Sequence, residues 1–360
     1  MFDTYKNTSL KSSTRKKRGK GVRKKVNATS IAPTNWRAFL RINDNKTELF
    51  RFLSQQCLAV DEGLVLFCGF DDICQSNDIS ADISCLSPSN HEEADTRVFL
   101  HAKDMALKGC RKLAIRTVDT DVLIMSIGLF SNIGVEELWV DFGAGKDRRF
   151  FAVHEIHRKI GERRAKALLF FHTFSGCDQV SFLSHVTKSN AWKVWELFDE
   201  VTSIFVDLGD MPSLNVVKDA MPILERFTVL LYSRSSNALT TNECRRELFC
   251  QGRSIDNIPP TGAALWKHVL RAAYYAGYVW SQSLVPIQVL PSPEDWGWKL
   301  EDSSYIPKWT DLPNASIGVR VLIKCKCNPE KGCRGRCKCL NAHLPCTELC
   351  LCKGECERDE

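Results

Sequence analysis

The sequence contains no long hydrophobic run. Its longest apolar stretches, such as residues 122–130, span about nine residues, whereas a helix that crosses a bilayer needs ~20. The N-terminus is basic and lacks the apolar core of a signal peptide, and the chain has no apparent internal repeat. These absences exclude a membrane-spanning protein and a repeat protein, and they predict a soluble protein that is not secreted.

The overall composition predicts a folded chain. Of its 360 residues, 44% are hydrophobic and nine are tryptophans, which is enough to bury a core and excludes wholesale disorder. The length exceeds what one hydrophobic core usually organises, so it favours two domains with a small third module.

Positive charge is concentrated in two segments. Residues 1–25 hold ten lysines and arginines against one acidic residue, and residues 320–338 hold seven against one, whereas the segment between them is mildly acidic. This distribution is typical of a protein whose basic arms bind a polyanion. For residues 1–25 alone, a solvated tail is an equally good interpretation.

The seventeen cysteines fall into two groups. Eight are scattered through residues 57–250 without close pairs, which is typical of reduced thiols in an intracellular protein. Nine crowd into the C-terminal region, and this odd count without an export signal favours metal ligands over a disulfide knot. The nine are Cys325, Cys327, Cys333, Cys337, Cys339, Cys346, Cys350, Cys352 and Cys356.

Helical and strand patterns alternate through the first half of the chain. Residues 92–107 predict a helix, 113–117 a strand and 121–130 a second helix. Strands at 138–142 and 150–153 precede a largely helical stretch at 155–173. This alternation predicts an α/β fold with a mostly parallel sheet and crossover helices.

Helices predominate after Asp178. Residues 192–198, 214–231 and 262–282 have helical periodicity. Residues 286–319 predict an extended strap whose tryptophans, Trp296, Trp298 and Trp309, are core anchors rather than a base-stacking platform. We therefore expect a basic segment at 1–25, an α/β domain at 26–200, a helical extension with the strap at 201–319, and a cysteine module at 320–360.

Acidic residues recur in three short motifs, which are Glu92-Glu93-Ala94-Asp95, Asp119-Thr120-Asp121 and Gly176-Cys177-Asp178. Each motif alone has a structural interpretation: a helix cap, a turn, or an ion pair between Glu93 and Arg97. However, Asp119 and Asp121 are two residues apart at the end of an apolar strand, at the edge where open α/β sheets bind ligands. We expect the helix start at Glu93 to lie at the opposite edge unless it curls over this site.

In order, spacing and context, residues 1–178 resemble the flap-endonuclease branch of the PIN-like metal-dependent nucleases. That family has an acidic-x-acidic helix start, a strand followed by Asp-x-Asp, and a Gly-Cys-Asp motif, and Phe2-Asp3 is similar to its strand-end Phe-Asp. The resemblance implies that Lys11 and Arg18, on one face of a mobile helix, contact the scissile phosphate. It also implies two Mg²⁺ or Mn²⁺ ions held by Asp3, Glu93, Asp95, Asp119, Asp121 and Asp178.

The chemistry explains why such a site needs acids. Several carboxylates in one pocket repel each other unless cations occupy it, and hard oxygen ligands favour Mg²⁺ or Mn²⁺. Two ions ~4 Å apart can activate a water and stabilise the leaving oxygen of a phosphodiester. The family's sheet begins with a central strand bearing another metal-binding aspartate, and only two residues precede Asp3 here. We therefore expect this strand to be missing, either because the sequence is an N-terminally truncated copy or because the sheet lacks it.

The C-terminal cysteines can form a zinc cluster. Nine thiolates give three zinc ions four ligands each if three of the thiolates bridge. The spacing resembles the tesmin-like CXC domain, which implies about three zinc ions and DNA binding. A zinc knot for protein contacts is the alternative. Basic residues that can contact phosphates lie between the cysteines, namely Lys324, Lys326, Lys331, Arg334, Arg336 and Lys338.

The sequence therefore predicts a nuclear, magnesium-dependent nuclease whose zinc module delivers it to nucleic acid, DNA above all. One alternative is a non-enzymatic DNA-binding protein that retains the nuclease fold as a scaffold, which the missing strand favours. The other is a zinc-dependent protein-interaction adaptor, which leaves the order of the acidic motifs unexplained. The combination of domains resembles a multi-copy eukaryotic family of mobile-element origin.

Overall fold

A computed structural model describes residues 1–5, 9–11, 21–60, 63–312, 324–328, 333, 337–341, 345–347 and 350–354. The chain divides into two compact units, Met1–Thr310 and Asp311–Glu360, and the finer boundaries expected near residues 25 and 200 stay predictions. Five predicted site residues lie outside the described residues, namely Arg18, Lys331, Arg334, Arg336 and Cys356. Among the described helices, none combines the length and the apolar character that crossing a bilayer requires.

The first half of the larger unit contains alternating helices and strands. They are α1 (Trp36–Phe39), α2 (Asn43–Leu58), β1 (Phe67–Phe70), β2 (Ile73–Ser76), α3 (Ala94–Leu107), β3 (Lys112–Thr117), α4 (Thr120–Ile133), β4 (Glu137–Phe142), β5 (Arg149–Ala152), α5 (Val153–Ile160) and α6 (Glu162–Phe174). The helices and strands predicted between residues 92 and 153 are confirmed with small shifts of their ends. The helix predicted at 155–173 is divided at Gly161, because its φ of 82° ends α5.

The second half is mainly helical, as predicted. Its elements are α7 (Lys188–Leu197), α8 (Val201–Leu208), α9 (Leu214–Tyr232), α10 (Thr241–Cys250), α11 (Gly262–Tyr274), β6 (Trp298–Glu301) and β7 (Ser304–Pro307). A π-helical segment, Tyr275–Trp280, continues α11. The smaller unit contains α12 (Lys338–Asn341).

The described strands form three small sheets. Parallel strands β3 and β4 are connected by α4, and β5 pairs antiparallel with β4. The other two sheets are antiparallel pairs, β1 with β2 and β6 with β7. The α/β class is therefore confirmed, but parallel pairing among the described strands is restricted to β3 and β4. A mostly parallel sheet is not shown.

One hydrophobic core holds the α/β elements and the helical extension together. Phe170 and Phe174 of α6 pack against Phe205 of α8, and Phe174 also contacts Phe227 of α9. All four rings are fully buried. Because α6 packs against both the extension and α4, its C-terminal end has a fixed position beside the start of α4.

The tryptophans of the strap have two different environments. Trp296 and Trp298 are buried and contact Tyr274, so the prediction of core anchors is confirmed for them. It is wrong for Trp309, which is 60% exposed. The Trp309 ring instead faces the Arg271 guanidinium, 5.2 Å from the ring centroid.

Candidate metal centres

Two backbone hydrogen bonds position the N-terminal residues beside the start of α3. The amide of Phe2 donates to the Gly69 carbonyl at 3.1 Å, and the amide of Thr4 donates to the Glu92 carbonyl at 2.8 Å. Between them, Oδ1 of Asp3 accepts a hydrogen bond from the Ala94 amide at 2.9 Å. Asp3 therefore caps α3 from another chain segment and lies beside the first acidic motif.

Glu93 is held by residues distant in sequence. It occupies the N-cap position of α3, but its side chain makes no capping bond. Lys11 Nζ lies 2.9 Å from its Oε2, and the Tyr275 hydroxyl donates to its Oε1 at 2.5 Å. Burial raises the pKa of Glu93, because these two partners offset only part of the lost hydration. The alternative pairing with Arg97 is wrong, since that guanidinium donates to carbonyl groups of the β1–β2 hairpin.

Asp119 and Asp121 lie at the start of α4 rather than on the preceding strand, because β3 ends at Thr117. Asp119 is the N-cap residue, and its Oδ1 accepts from the Asp121 amide at 2.8 Å. Asp121 lies in the first turn, where its Oδ1 is 2.9 Å from Nε2 of His172. An ionised carboxylate can only accept, so His172 donates and orients the Asp121 carboxylate.

Asp178 follows α6 through a tight turn. Gly176 has a φ of 106°, and a Cβ at this position would lie 2.6 Å from Cβ of Phe182, so only glycine fits. Asp178 is exposed and lines an open pocket together with Asp119 and Asp121. The turn thus brings the third acidic motif to the second.

The carboxylates act on one another electrostatically. Burial, followed by the charges of Glu93 and Asp119, raises the pKa of Asp95 to about 7. Burial also raises the pKa of Asp119, and Asp121 and Asp178 raise it further. We call the six acids the carboxylate cluster; its members are Asp3, Glu93, Asp95, Asp119, Asp121 and Asp178.

The start of α3 shares an edge with the start of α4. The charge of Asp119 acts on Asp95, which favours the alternative that the sequence left open, a helix start beside this site, over the opposite edge. A helix that leads into a strand runs antiparallel to it, so its N-terminus returns to the strand's carboxyl end. The cluster therefore forms where β3 ends and α3 and α4 begin.

The smaller unit brings cysteine sulfurs together at distances that fit zinc. The Sγ atom of Cys325 is 3.8 Å from that of Cys333, 3.9 Å from that of Cys346 and 3.7 Å from that of Cys352. Tetrahedral thiolates ~2.3 Å from a zinc ion are separated by roughly 3.8 Å, whereas a disulfide requires about 2.05 Å. The donor set and the spacing both fit zinc, so the cysteine cluster can bind a metal ion.

Two groups of four cysteines have all their sulfurs within 4.8 Å of one another. The first is Cys325, Cys339, Cys346 and Cys350, and the second is Cys325, Cys333, Cys337 and Cys346. Cys325 and Cys346 belong to both groups, as shared ligands would. Over the described residues, only cysteines bring three or more candidate ligand atoms this close together, and no three carboxylate oxygens do.

Backbone amides support the thiolate form of two of the clustered cysteines, whereas burial and neighbouring thiols raise the pKa of Cys327 to about 11 and of Cys339 to about 12. Sγ of Cys350 accepts from the amides of Cys325 and Thr347, both at 3.4 Å. Sγ of Cys337 accepts from the Leu340 amide at 3.5 Å. Burial opposes ionisation, but these and neighbouring hydrogen bonds lower the pKa of both thiols to about 6.

The sequence pattern did not reveal three residues that support the carboxylate cluster. His172 orients Asp121, Tyr275 binds Glu93, and Lys188 donates to the carbonyls of His172 and Gly176 at 2.8 and 2.5 Å. Burial lowers the pKa of Lys188 to about 8. Of these three residues, only His172 could have been connected with the site from the sequence, because it lies six residues before Asp178 on the same helix-to-turn segment.

Comparison of the chain with models of protein families, with curated proteins and with solved structures finds no match. The resemblances to PIN-like nucleases and to CXC domains therefore rest on the motifs alone. What the structure adds is a mixed α/β fold and a cysteine cluster able to hold metal.

Proposed function

We propose that the chain hydrolyses phosphodiester bonds of nucleic acid with Mg²⁺ or Mn²⁺, as a PIN-like nuclease. The observation that carries this proposal is the convergence of carboxylates from four separate chain segments at one edge of the β3–β4 pair. Burial, followed by carboxylates of its own and of other segments, raises the pKa of Asp95, and burial together with Asp121 and Asp178 raises that of Asp119. That arrangement is costly unless cations balance the charge.

The donor set fits hard divalent cations, because six carboxylates offer only oxygen ligands. Glu93, Asp95, Asp119, Asp121 and Asp178 would hold the ions, with Asp3 beside them. Bound ions would supply Lewis-acid activation of the phosphodiester and of the attacking water.

The chain's own residues orient the site and neutralise charge. His172 keeps the Asp121 carboxylate in one orientation. Lys11, which lies beside Glu93, is placed to exchange that carboxylate for a phosphate oxygen when a substrate enters. Arg18 is proposed for the same role on sequence grounds.

The cysteine module is proposed to deliver the nuclease to DNA in the nucleus as a CXC-type zinc domain. Lys324, Lys326 and Lys338 support this role, because each is exposed beside a buried cysteine. Such a framework presents cations outward for phosphate contacts. Lys331, Arg334 and Arg336 are proposed for the same role on sequence grounds.

A cleavage assay with the purified full chain tests the nuclease. We expect labelled single-stranded and branched DNA to be cut with Mg²⁺ or Mn²⁺ and to stay intact with EDTA. Asp121→Asn should lower the rate by about a hundredfold or more, whereas Asp219→Asn, an exposed acid on α9, should not. Equal cleavage by both variants would remove the carboxylate cluster from the mechanism.

A second candidate is a nucleic-acid-binding scaffold without hydrolysis. It is favoured by the partners already present at Glu93 and by the absence, among the described acids, of any three carboxylate oxygens within 4.8 Å. Calorimetric titration with Mn²⁺ separates the two candidates. Binding that Asp121→Asn abolishes supports the nuclease, and DNA binding without any Mn²⁺ uptake supports the scaffold.

A further inference from the structure

The sheet of β3, β4 and β5 has one open face. Along β4, Leu138 and Val140 are fully buried beneath α4 and α5. The alternate residues point the other way, and Trp139 is 36% exposed there. Phe150 of β5 pairs with Asp141 of β4, so its ring lies on this open face, where it is 59% exposed.

Cations surround Phe150 at one end of this face. Arg148 donates from Nε and Nη2 to the Asp141 carboxylate, both at 2.8 Å, and its guanidinium lies 5.3 Å from the centroid of the Phe150 ring. Arg116 approaches the same carboxylate at 3.4 Å. Asp141 therefore orients two arginines and neutralises one of them.

One further cation lies in the loop before β5. Lys146 is exposed and forms no ion pair with a described residue, and the neighbouring Asp147 is an additional acid. Arg149 alternates with Phe150 along β5 and pairs with Phe142, so it lies on the other face of the sheet. Three cations thus accompany two carboxylates beside an exposed aromatic ring, in a body that is otherwise mildly acidic. We call Arg116, Lys146, Arg148 and Phe150 the cationic rim.

The cationic rim and the carboxylate cluster both lie at the ends of β3 and β4. The amide of Gly143, at the end of β4, donates to the Thr117 carbonyl at 3.1 Å. The Thr117 hydroxyl in turn accepts from the Asp119 amide at 3.0 Å. The end of β4, which leads into the rim, is thus linked through Thr117 to Asp119 of the carboxylate cluster. A strand bound to the rim can therefore extend to the acids.

We propose that the cationic rim binds a single-stranded segment of nucleic acid and leads it to the carboxylate cluster. Phosphates contact the guanidinium and ammonium groups, and an unpaired base stacks on Phe150. Charge complementarity selects a polyanion, and the open ring selects unpaired bases over a duplex, whose bases are already stacked. This inference extends the proposed function and rests on it only for the claim that the bound strand is then cleaved.

Photo-crosslinking in the full chain tests this docking surface. It reports binding at one position, so binding of the oligonucleotide to the basic ends of the chain does not contribute to the signal. p-Benzoylphenylalanine is introduced at Phe150 or, as a control, at Phe249, which is 62% exposed on α10, and a labelled single-stranded oligonucleotide is added with EDTA. We expect about tenfold more crosslinking at position 150. Equal yields at the two positions would overturn the proposal.

A second experiment measures the same crosslinking after charge reversal on the rim. Arg116→Glu with Lys146→Glu should lower the crosslinking at position 150 by about tenfold. Arg158→Glu with Lys159→Glu, which changes two exposed cations of α5, should leave it unchanged. If the charge reversals on the rim leave the crosslinking at position 150 unchanged, the proposal is overturned. Cleavage that survives Asp121→Asn would reject the proposed nuclease while leaving a crosslink at position 150 intact, so the two failures are distinguishable.

Discussion

Nζ of Lys11 lies 2.9 Å from Oε2 of Glu93, which joins the basic N-terminal segment to the first acidic motif. Although burial disfavours a charged amine, Glu93, Asp95 and Asp3 raise the pKa of Lys11. Lys11 is thus the counter-charge that the cluster holds when no other cation is present. Removing the charge of Lys11 should therefore change both the stability of the fold and the electrostatics of the site.

Replacing Lys11 with glutamine should destabilise the chain in EDTA at pH 7.5. The change leaves a mostly buried Glu93 without its cation, and we expect the free energy of unfolding to fall by about 1–3 kcal/mol. Urea denaturation measures this. The control is Lys166→Gln, which breaks an exposed pair with Glu162 and should cost at most about 0.5 kcal/mol. Equal losses would mean that Lys11 is only a surface residue.

Asp95 should make the stability of the metal-free chain depend on pH. Its pKa rises from 3.8 to about 7 in the folded state, so between these values the folded chain keeps a proton that the unfolded chain has released. Stability therefore falls as pH rises through this window. Asp95→Asn should stabilise the chain by on the order of 3 kcal/mol at pH 8 and by little at pH 4.

Thermal or urea unfolding in EDTA at the two pH values checks this prediction. Asp219→Asn serves as the control and should have little effect at either pH. Added Mn²⁺ should reduce the advantage of Asp95→Asn, because it stabilises the ionised wild-type cluster. An Asp95→Asn variant that gains nothing at pH 8 would show that Asp95 ionises freely.

Local patterns predicted the elements around the carboxylate cluster but not its contacts. The helices and strands from α3 to β5 follow from side-chain periodicity, which neighbouring residues determine. Tyr275, by contrast, binds Glu93 across 182 residues of sequence, and no periodicity encodes such a pairing. Strand β3 ends at Thr117 as predicted, but α4 begins one residue earlier than predicted, at Thr120, with Asp119 as its N-cap, so the helix rather than the strand carries both acids.

The shared cysteines should control metal loading of the smaller unit. We expect elemental analysis to give about three zinc ions per chain. Cys346→Ser removes a ligand from both four-cysteine groups and should release more than one ion, whereas Cys250→Ser, an exposed cysteine of α10, should release none. One zinc ion or none in the wild type would reject a cluster with shared thiolates.

His172 should act by positioning Asp121. Removing the imidazole in His172→Ala frees the carboxylate to rotate, and we expect metal affinity and cleavage to fall about 10- to 100-fold. His172→Gln retains an N–H donor and should recover part of the loss. His157→Ala is a matched control, because the hydrogen bonds of that imidazole to described residues go to Ser131 and Ile127, away from the carboxylate cluster. Mn²⁺ titration followed by electron paramagnetic resonance separates positioning from folding: a structural role would lower the melting temperature of both His172 variants alike without a difference in Mn²⁺ affinity between them.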